Sequence, residues 1–276
     1  MPFVTHDDVK LSVEIAGRGP PIVFAHESAA DQRQWSEQVA ALSDRFLCIT
    51  YNARGYPPSD VPIDDPAYGY EQAWRDLACV VEQAANGPAH VVGLSMGAYA
   101  GLMLGLHRPE LVRSLFLAGC GTGSTRGANV PLRDAMHALA MTFETQGIEA
   151  GARQIALPAN RTGFQERDPI RWQSWYDDLA THSAEGMART FRNYQGDRPS
   201  LYEFEDGLRE MHVPTLLATG DEDEGCHEVN GFLVQTLPDA RLEVFQQCGH
   251  AINLEAPARF NRMVADFVTA READPS

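Results

Sequence analysis

A serine with a glycine two residues away on each side, Gly93-Leu94-Ser95-Met96-Gly97, falls directly after the apolar pair Val91-Val92 and runs into a helical stretch over residues 98–107. A strand that feeds a helix through so short a link must turn sharply. Small residues at both ends of the turn permit this and leave the Ser95 hydroxyl projecting above the sheet edge, the geometry of a nucleophile elbow. The helix points its N-terminus at the same place, where unpaired N–H groups favour developing negative charge. The bare pattern also recurs by chance at glycine-rich helix starts; the strand-turn-helix setting is what makes Ser95 the candidate nucleophile.

The rest of the chain repeats that alternation. Residues 22–25, 46–50, 90–92 and 114–117 form short apolar runs suited to strands covered on both faces, and residues 9–15 alternate like a partly exposed antiparallel edge strand. Helices are expected near 32–42, 70–85 and 96–107. From about 121 to 211 the rhythm stops, giving way to helical stretches rich in Met, Trp, Tyr and Arg; it resumes at 214–218 and 242–245, and a helix over 257–270 closes the pattern. The expectation is an α/β fold: a mostly parallel sheet with helices on both faces, built from residues 1–120 and 212–276, with residues 121–211 inserted in it.

Composition excludes several classes of function. The 276 residues carry a formal net charge of -16, with no cluster of Lys or Arg to offset it, which opposes nucleic acid and anionic membranes alike. The N-terminal residues show no basic and apolar signal pattern and no apolar run approaches a membrane span, so a cytoplasmic location is expected. Five scattered cysteines without CxxC spacing indicate neither a disulfide framework nor a zinc site and read as mostly buried small hydrophobes.

A serine hydroxyl needs a base to take its proton, and that base needs a carboxylate to orient it. His250 fits the first role: Gly249 before it permits a tight loop after a late strand, and Glu255-Ala256-Pro257 reads as the start of the last helix. For the second, the strand ending near Ala218 runs into Thr219-Gly220-Asp221-Glu222-Asp223-Glu224. These acids are either a solvated loop or the source of the orienting carboxylate.

With Phe24-Ala25-His26, Trp35, Tyr51-Asn52-Ala53-Arg54-Gly55, residues 109–117 and Phe260-Asn261 added to these pieces, the chain resembles the α/β-hydrolase family over nearly its whole length. The resemblance implies a serine hydrolase with the triad Ser95, Asp223 and His250, the family spacing from Gly220 favouring Asp223 over Asp221. It implies an oxyanion hole formed by the N–H groups of Ser28 and Met96, His26 serving to order its loop, and no metal or organic cofactor. Where the family usually has His-Gly, this chain has His26-Glu27. Glu27 is expected to face solvent, the other reading being a carboxylate set beside the oxyanion hole.

In hydrolases of this kind an insertion between the sixth and seventh strands forms a helical cap, here residues 121–211. Candidate substrate-binding residues are Glu27 and, from the insertion, Trp172, Trp175 and Tyr176 for an apolar pocket and Arg189 with Arg192 for a substrate carboxylate. Buried core and a solvated helix face with paired charges are the plainer readings of these side chains. The expected substrate is a small carboxylic ester or lactone. A carbon-carbon hydrolase acting on a diketone through the same triad, cofactor-free perhydrolysis and a ligand-binding receptor of the same fold remain as alternatives, and a homodimer is possible.

Overall fold

The computed structural model describes residues 2–127 and 130–273. Its strands are β1 (Phe3–His6), β2 (Val9–Gly17), β3 (Pro21–Ala25), β4 (Leu47–Tyr51), β5 (Ala89–Leu94), β6 (Val112–Ala118), β7 (Thr215–Gly220) and β8 (Ala240–Phe245). They form one sheet in the order β1-β2-β4-β3-β5-β6-β7-β8. The β1–β2 and β2–β4 pairs are antiparallel and every later pair is parallel. The expected mostly parallel α/β sheet is therefore present. One strand was not anticipated: β1 pairs with β2 through a tight turn at Asp7 and Asp8, both at positive φ (48° and 63°). Such a turn is usually signalled by Asn-Gly or Asp-Gly, whereas here it is made by Asp7-Asp8. The true edge is consequently β1, and β2 lies one place inward.

Alternation along the strands explains the layers. Val23, Val91, Leu115 and Leu117 face one way, onto helices α2 (Tyr70–Val80) and α3 (Met96–His107). Ile22, Phe24, Val92 and Phe116 face the other, onto α1 (Ser36–Leu42) and the closing helix (Pro257–Ala273), where Trp35, Phe245 and Phe260 fill the layer. Each such side chain removed from water contributes roughly 1.5–3 kcal/mol. All five cysteines are buried and unpaired by disulfides, as their scattering implied.

Chain order fixes where a site can form. From β3 the chain steps outward to β4, then returns to the opposite side of β3 with β5 and continues to β6. The loops leaving β3 and β5 thus diverge at the carboxyl edge of neighbouring strands, the crevice in which open α/β sheets place their ligands. Between β6 and β7 the described residues contain helices only: α4 (Val130–Gln146), α5 (Ile148–Ala156), α6 (Ala159–Arg167), α7 (Pro169–Leu179), α8 (Ala184–Arg189), which continues as a π-helical turn to Gly196, and α9 (Glu205–Arg209). After β7 come α10 (Glu224–Thr236), then α11 (Ile252–Glu255) and α12, the closing helix. Residues 128 and 129 of the expected insertion, and residues 1 and 274–276 of the expected core, lie outside the described residues. No helix among the described residues is long and apolar enough to cross a membrane.

Candidate active site

Ser95 is the single residue between β5 and α3, at φ 53° and ψ −106°. A non-glycine residue held there stores on the order of 1–3 kcal/mol of strain, which the surroundings must impose. They do so by close contact. A Cβ on Gly97 would stand 2.1 Å from the Ala25 carbonyl oxygen of β3, and one on Gly93 would stand 2.5 Å from the Gly97 oxygen, so both flanking positions require glycine. The Ser95 N–H donates to Ala118 O of β6 at 2.8 Å, tying the turn to the next strand.

Met96 opens α3, so its N–H has no acceptor within the helix. Ser28 lies in the turn that leaves β3, and two buried side chains hold that turn. The Tyr56 hydroxyl donates to Ser28 O at 2.8 Å. His26 donates from Nδ1 to Glu27 O at 2.7 Å and accepts the Ala53 N–H on Nε2 at 2.9 Å. Burial pulls the His26 pKa down to about 4, so the ring stays neutral and serves as a strut between the β3 and β4 loops.

His250 and Asp223 meet after β8 and β7. His250 Nδ1 lies 2.6 Å from Asp223 Oδ2, both side chains being buried. An ionised carboxylate only accepts, so Nδ1 carries the proton and Nε2 stands outside the bond. Burial opposes charge on both partners, yet their mutual attraction and hydrogen bond outweigh it: the His250 pKa is raised and the Asp223 pKa is held well below the usual carboxylate range. Asp221 goes elsewhere, accepting the Cys248 N–H at 3.1 Å from a partly exposed position. Asp223, Cys226 and His250 bring ligand-type atoms within 4.8 Å of one another. As a metal set they fit poorly: Asp223 and His250 already bind each other, and burial raises the Cys226 thiol well above its ordinary range.

Glu27 does not face solvent. It is 1% exposed and forms an ion pair with Nη2 of Arg161, itself buried, near the start of α6. The physical reason is a charge partner 134 residues away in sequence, delivered by the inserted helices. Beside Arg161, Asn160 donates from Nδ2 to Asp223 Oδ1 at 2.9 Å, and its carbonyl accepts the His250 N–H at 3.1 Å. Neither Asn160 nor Arg161 stood out in the sequence; the only local signal is Pro158, which marks the helix start.

The other expected binding residues separate into two groups. Trp175 is buried with its ring 4.9 Å from the Arg161 guanidinium carbon, which places it at the border of the site. Trp172 stacks flat on Tyr176 within α7 at 5.3 Å. Arg192 makes two 2.7 Å bonds to the Glu144 carboxylate of α4, and Arg189 faces Asp65 at 3.7 Å, the paired-charge arrangement that was the plainer reading of these two arginines. A small cavity of about 20 Å³ lies behind Met96 among Tyr56, Tyr194, Arg54 and Asp76; neither Ser95 nor His250 lines it, and its size suits a water rather than an acyl group.

Breaking the Glu27–Arg161 pair is expected to be costly. Arg161→Met leaves a buried carboxylate without its cation, which should lower unfolding free energy by about 3–5 kcal/mol. Adding Glu27→Gln to it should restore most of the loss. Urea unfolding of the single and double variants measures both; a single variant as stable as the parent would contradict a buried pair.

A family model described as the alpha/beta hydrolase fold matches residues 20–257. Among known proteins, the 3-oxoadipate enol-lactonase 2 of Acinetobacter baylyi is 26% identical over 264 residues, covering 95% of this chain and 94% of its own. The 2-hydroxy-6-oxo-6-phenylhexa-2,4-dienoate hydrolase of Comamonas testosteroni is 26% identical over 272 residues, covering 96% and 93%. Among solved structures, the enol-lactonase from Burkholderia xenovorans LB400 has a TM-score of 0.85 across 97% of this chain and 100% of that one; at 24% identity this likeness speaks for the fold alone.

Proposed function

The chain belongs to the alpha/beta hydrolase fold family, and from that premise we propose that it is a serine hydrolase that cleaves a small carboxylic ester or lactone through an acyl-enzyme on Ser95. The observation that carries this reading is the buried 2.6 Å bond between Asp223 and His250, in a fold whose adjacent crevice holds Ser95 on a strained elbow. In the proposed reaction His250 Nε2 takes the Ser95 proton as Oγ attacks the carbonyl carbon. The N–H groups of Ser28 and Met96 hold the oxyanion, and His250 then protonates the departing alkoxide. In a lactone that alkoxide remains tethered to the acyl group. Water, deprotonated by His250, adds to the acyl-enzyme and releases the acid and free Ser95.

In this reading helices α4 to α9 act as a cap over Ser95, with Trp175 and the Glu27–Arg161 pair at the border of the acyl site. Ester or lactone chemistry is placed ahead of carbon-carbon cleavage because the Acinetobacter baylyi relative is an enol-lactonase, and because Arg189 and Arg192 are turned to carboxylates of the chain itself. The test combines labelling with turnover. A fluorophosphonate is expected to modify Ser95 alone and to abolish activity in proportion to labelling. In a panel of p-nitrophenyl esters, enol-lactones and ring-cleavage diketoacids, the first two classes should turn over fastest. Labelling at another residue would remove the mechanism; turnover confined to diketoacids would replace the substrate class and keep the triad.

A further inference from the structure

Helix α6 is fastened to three of the loops on which the proposed chemistry depends, those after β3, β7 and β8. Arg161 pairs with Glu27 in the loop after β3. At the other end of the helix Arg167 binds Glu222, next to Asp223, at 2.8 Å, and Glu255 at 2.8 Å. The Glu255 carboxylate in turn accepts the N–H groups of Gly249 and Ala251, on either side of His250. These contacts seat the helix. Asn160 does more, because its side chain reaches the carboxylate that faces the base.

Both oxygens of Asp223 are engaged: Oδ2 takes the His250 Nδ1–H and Oδ1 takes the Asn160 amide, with the Cys226 thiol a third side-chain donor to the carboxylate. Anchoring both oxygens fixes the rotation of the carboxylate and thereby the direction in which it holds the imidazole. An N–H donated to Oδ1 also stabilises the anion and draws charge away from Oδ2, so the imidazolium is attracted less strongly than a bare carboxylate would attract it. The other titratable groups near His250 are Arg161 from α6 and Glu27 from the β3 loop, which neutralise each other, and Cys226 on α10 beside Asp223, kept protonated and neutral by burial. Asp223 is therefore the one uncompensated charge at the base among these groups, and Asn160 acts directly on it.

We propose that Asn160 is a positioning residue for the Asp223–His250 couple: its amide orients the acid and shares the charge that the base feels, so that the helical segment between β6 and β7 takes part in setting the acid–base chemistry. This rests on the reading of Ser95, Asp223 and His250 as the reacting groups. The sign follows from the charge. Without the donor, Oδ2 holds more of the negative charge, imidazolium is favoured, and the pH at which His250 becomes a competent base rises.

Asn160→Leu removes the donor at similar volume and keeps the backbone carbonyl that accepts the His250 N–H. The expected result, with a p-nitrophenyl ester as substrate, is an acid limb of kcat/KM moved upward by about half to one pH unit. Plateau kcat should fall about tenfold with KM changed by less than about twofold. Asn160→Ala removes the same donor with less bulk; its acid limb should move in the same direction, and it stands in if the leucine variant does not fold. A loss of kcat with the limb unmoved in both variants would reduce Asn160 to a structural contact and overturn the proposal, as would two unaltered profiles. The His250 ring titration, followed by NMR and assigned with His250→Gln, reads the same shift without turnover. It therefore tests Asn160 even if fluorophosphonate labelling of the unaltered protein were to place the nucleophile elsewhere.

Discussion

Ser95→Ala is expected to lower kcat by about 10⁶ on p-nitrophenyl esters, the scale on which removal of a triad nucleophile acts, since loss of one member forfeits what the three achieve together. Some rate above water should survive, on the order of 10³-fold, because the Ser28 and Met96 N–H groups still bind the developing oxyanion. The fold should persist. The Ser95 contact that fastens the turn is its backbone N–H to Ala118 O, which alanine keeps, and the glycine contacts that force the positive φ belong to Gly93 and Gly97. Urea unfolding is expected to stay within about 1 kcal/mol of the parent. The residual activity must be measured after fluorophosphonate treatment, which silences any trace of unaltered protein. A loss smaller than a hundredfold under those conditions would mean that Ser95 is not the attacking group.

The elbow was legible because its cause is local: the residues that must be small are two positions from the serine, and the apolar run and helix that frame it adjoin it in sequence. The parallel strands were legible for a related reason, since burial on both faces writes continuous apolar runs such as 22–25 and 114–117. What escaped depends on partners far along the chain. Glu27, read alone, is a charged residue in a loop; only Arg161, brought across by α6, gives its carboxylate a reason to be buried. Arg189 and Arg192 show the same dependence, since their spacing alone says nothing of Glu144 on another helix and Asp65 in a distant helical turn, which engage them separately. Asn160 carries no pattern at all, its position against Asp223 being fixed by how α6 seats on the loops after β7 and β8. The first strand was missed because Asp7-Asp8 adopts a turn that its residue types rarely announce.

The second large effect is expected at Asp223. In Asp223→Asn the introduced side chain has one acceptor and one donor end, and Asn160 decides which goes where. The Asn160 Nδ2 donates toward the Oδ1 position, so the new carbonyl oxygen is drawn there and the new NH₂ is left facing His250 Nδ1. The ring must then accept on Nδ1 and carry its proton on Nε2, the nitrogen that has to receive the Ser95 proton. The variant keeps its shape and loses its base, and kcat should fall by about 10⁴. Asp221→Asn provides the contrast: its oxygen can still accept the Cys248 N–H, no contact with His250 is disturbed, and kcat should change by no more than a fewfold. Side chains two apart share a direction only while a chain stays extended, and the turn that starts after Gly220 separates these two carboxylates. Should steady-state kinetics show the larger loss in the Asp221 variant, the acid would be Asp221, and the 2.6 Å bond to Asp223 would not be the one that orients the base.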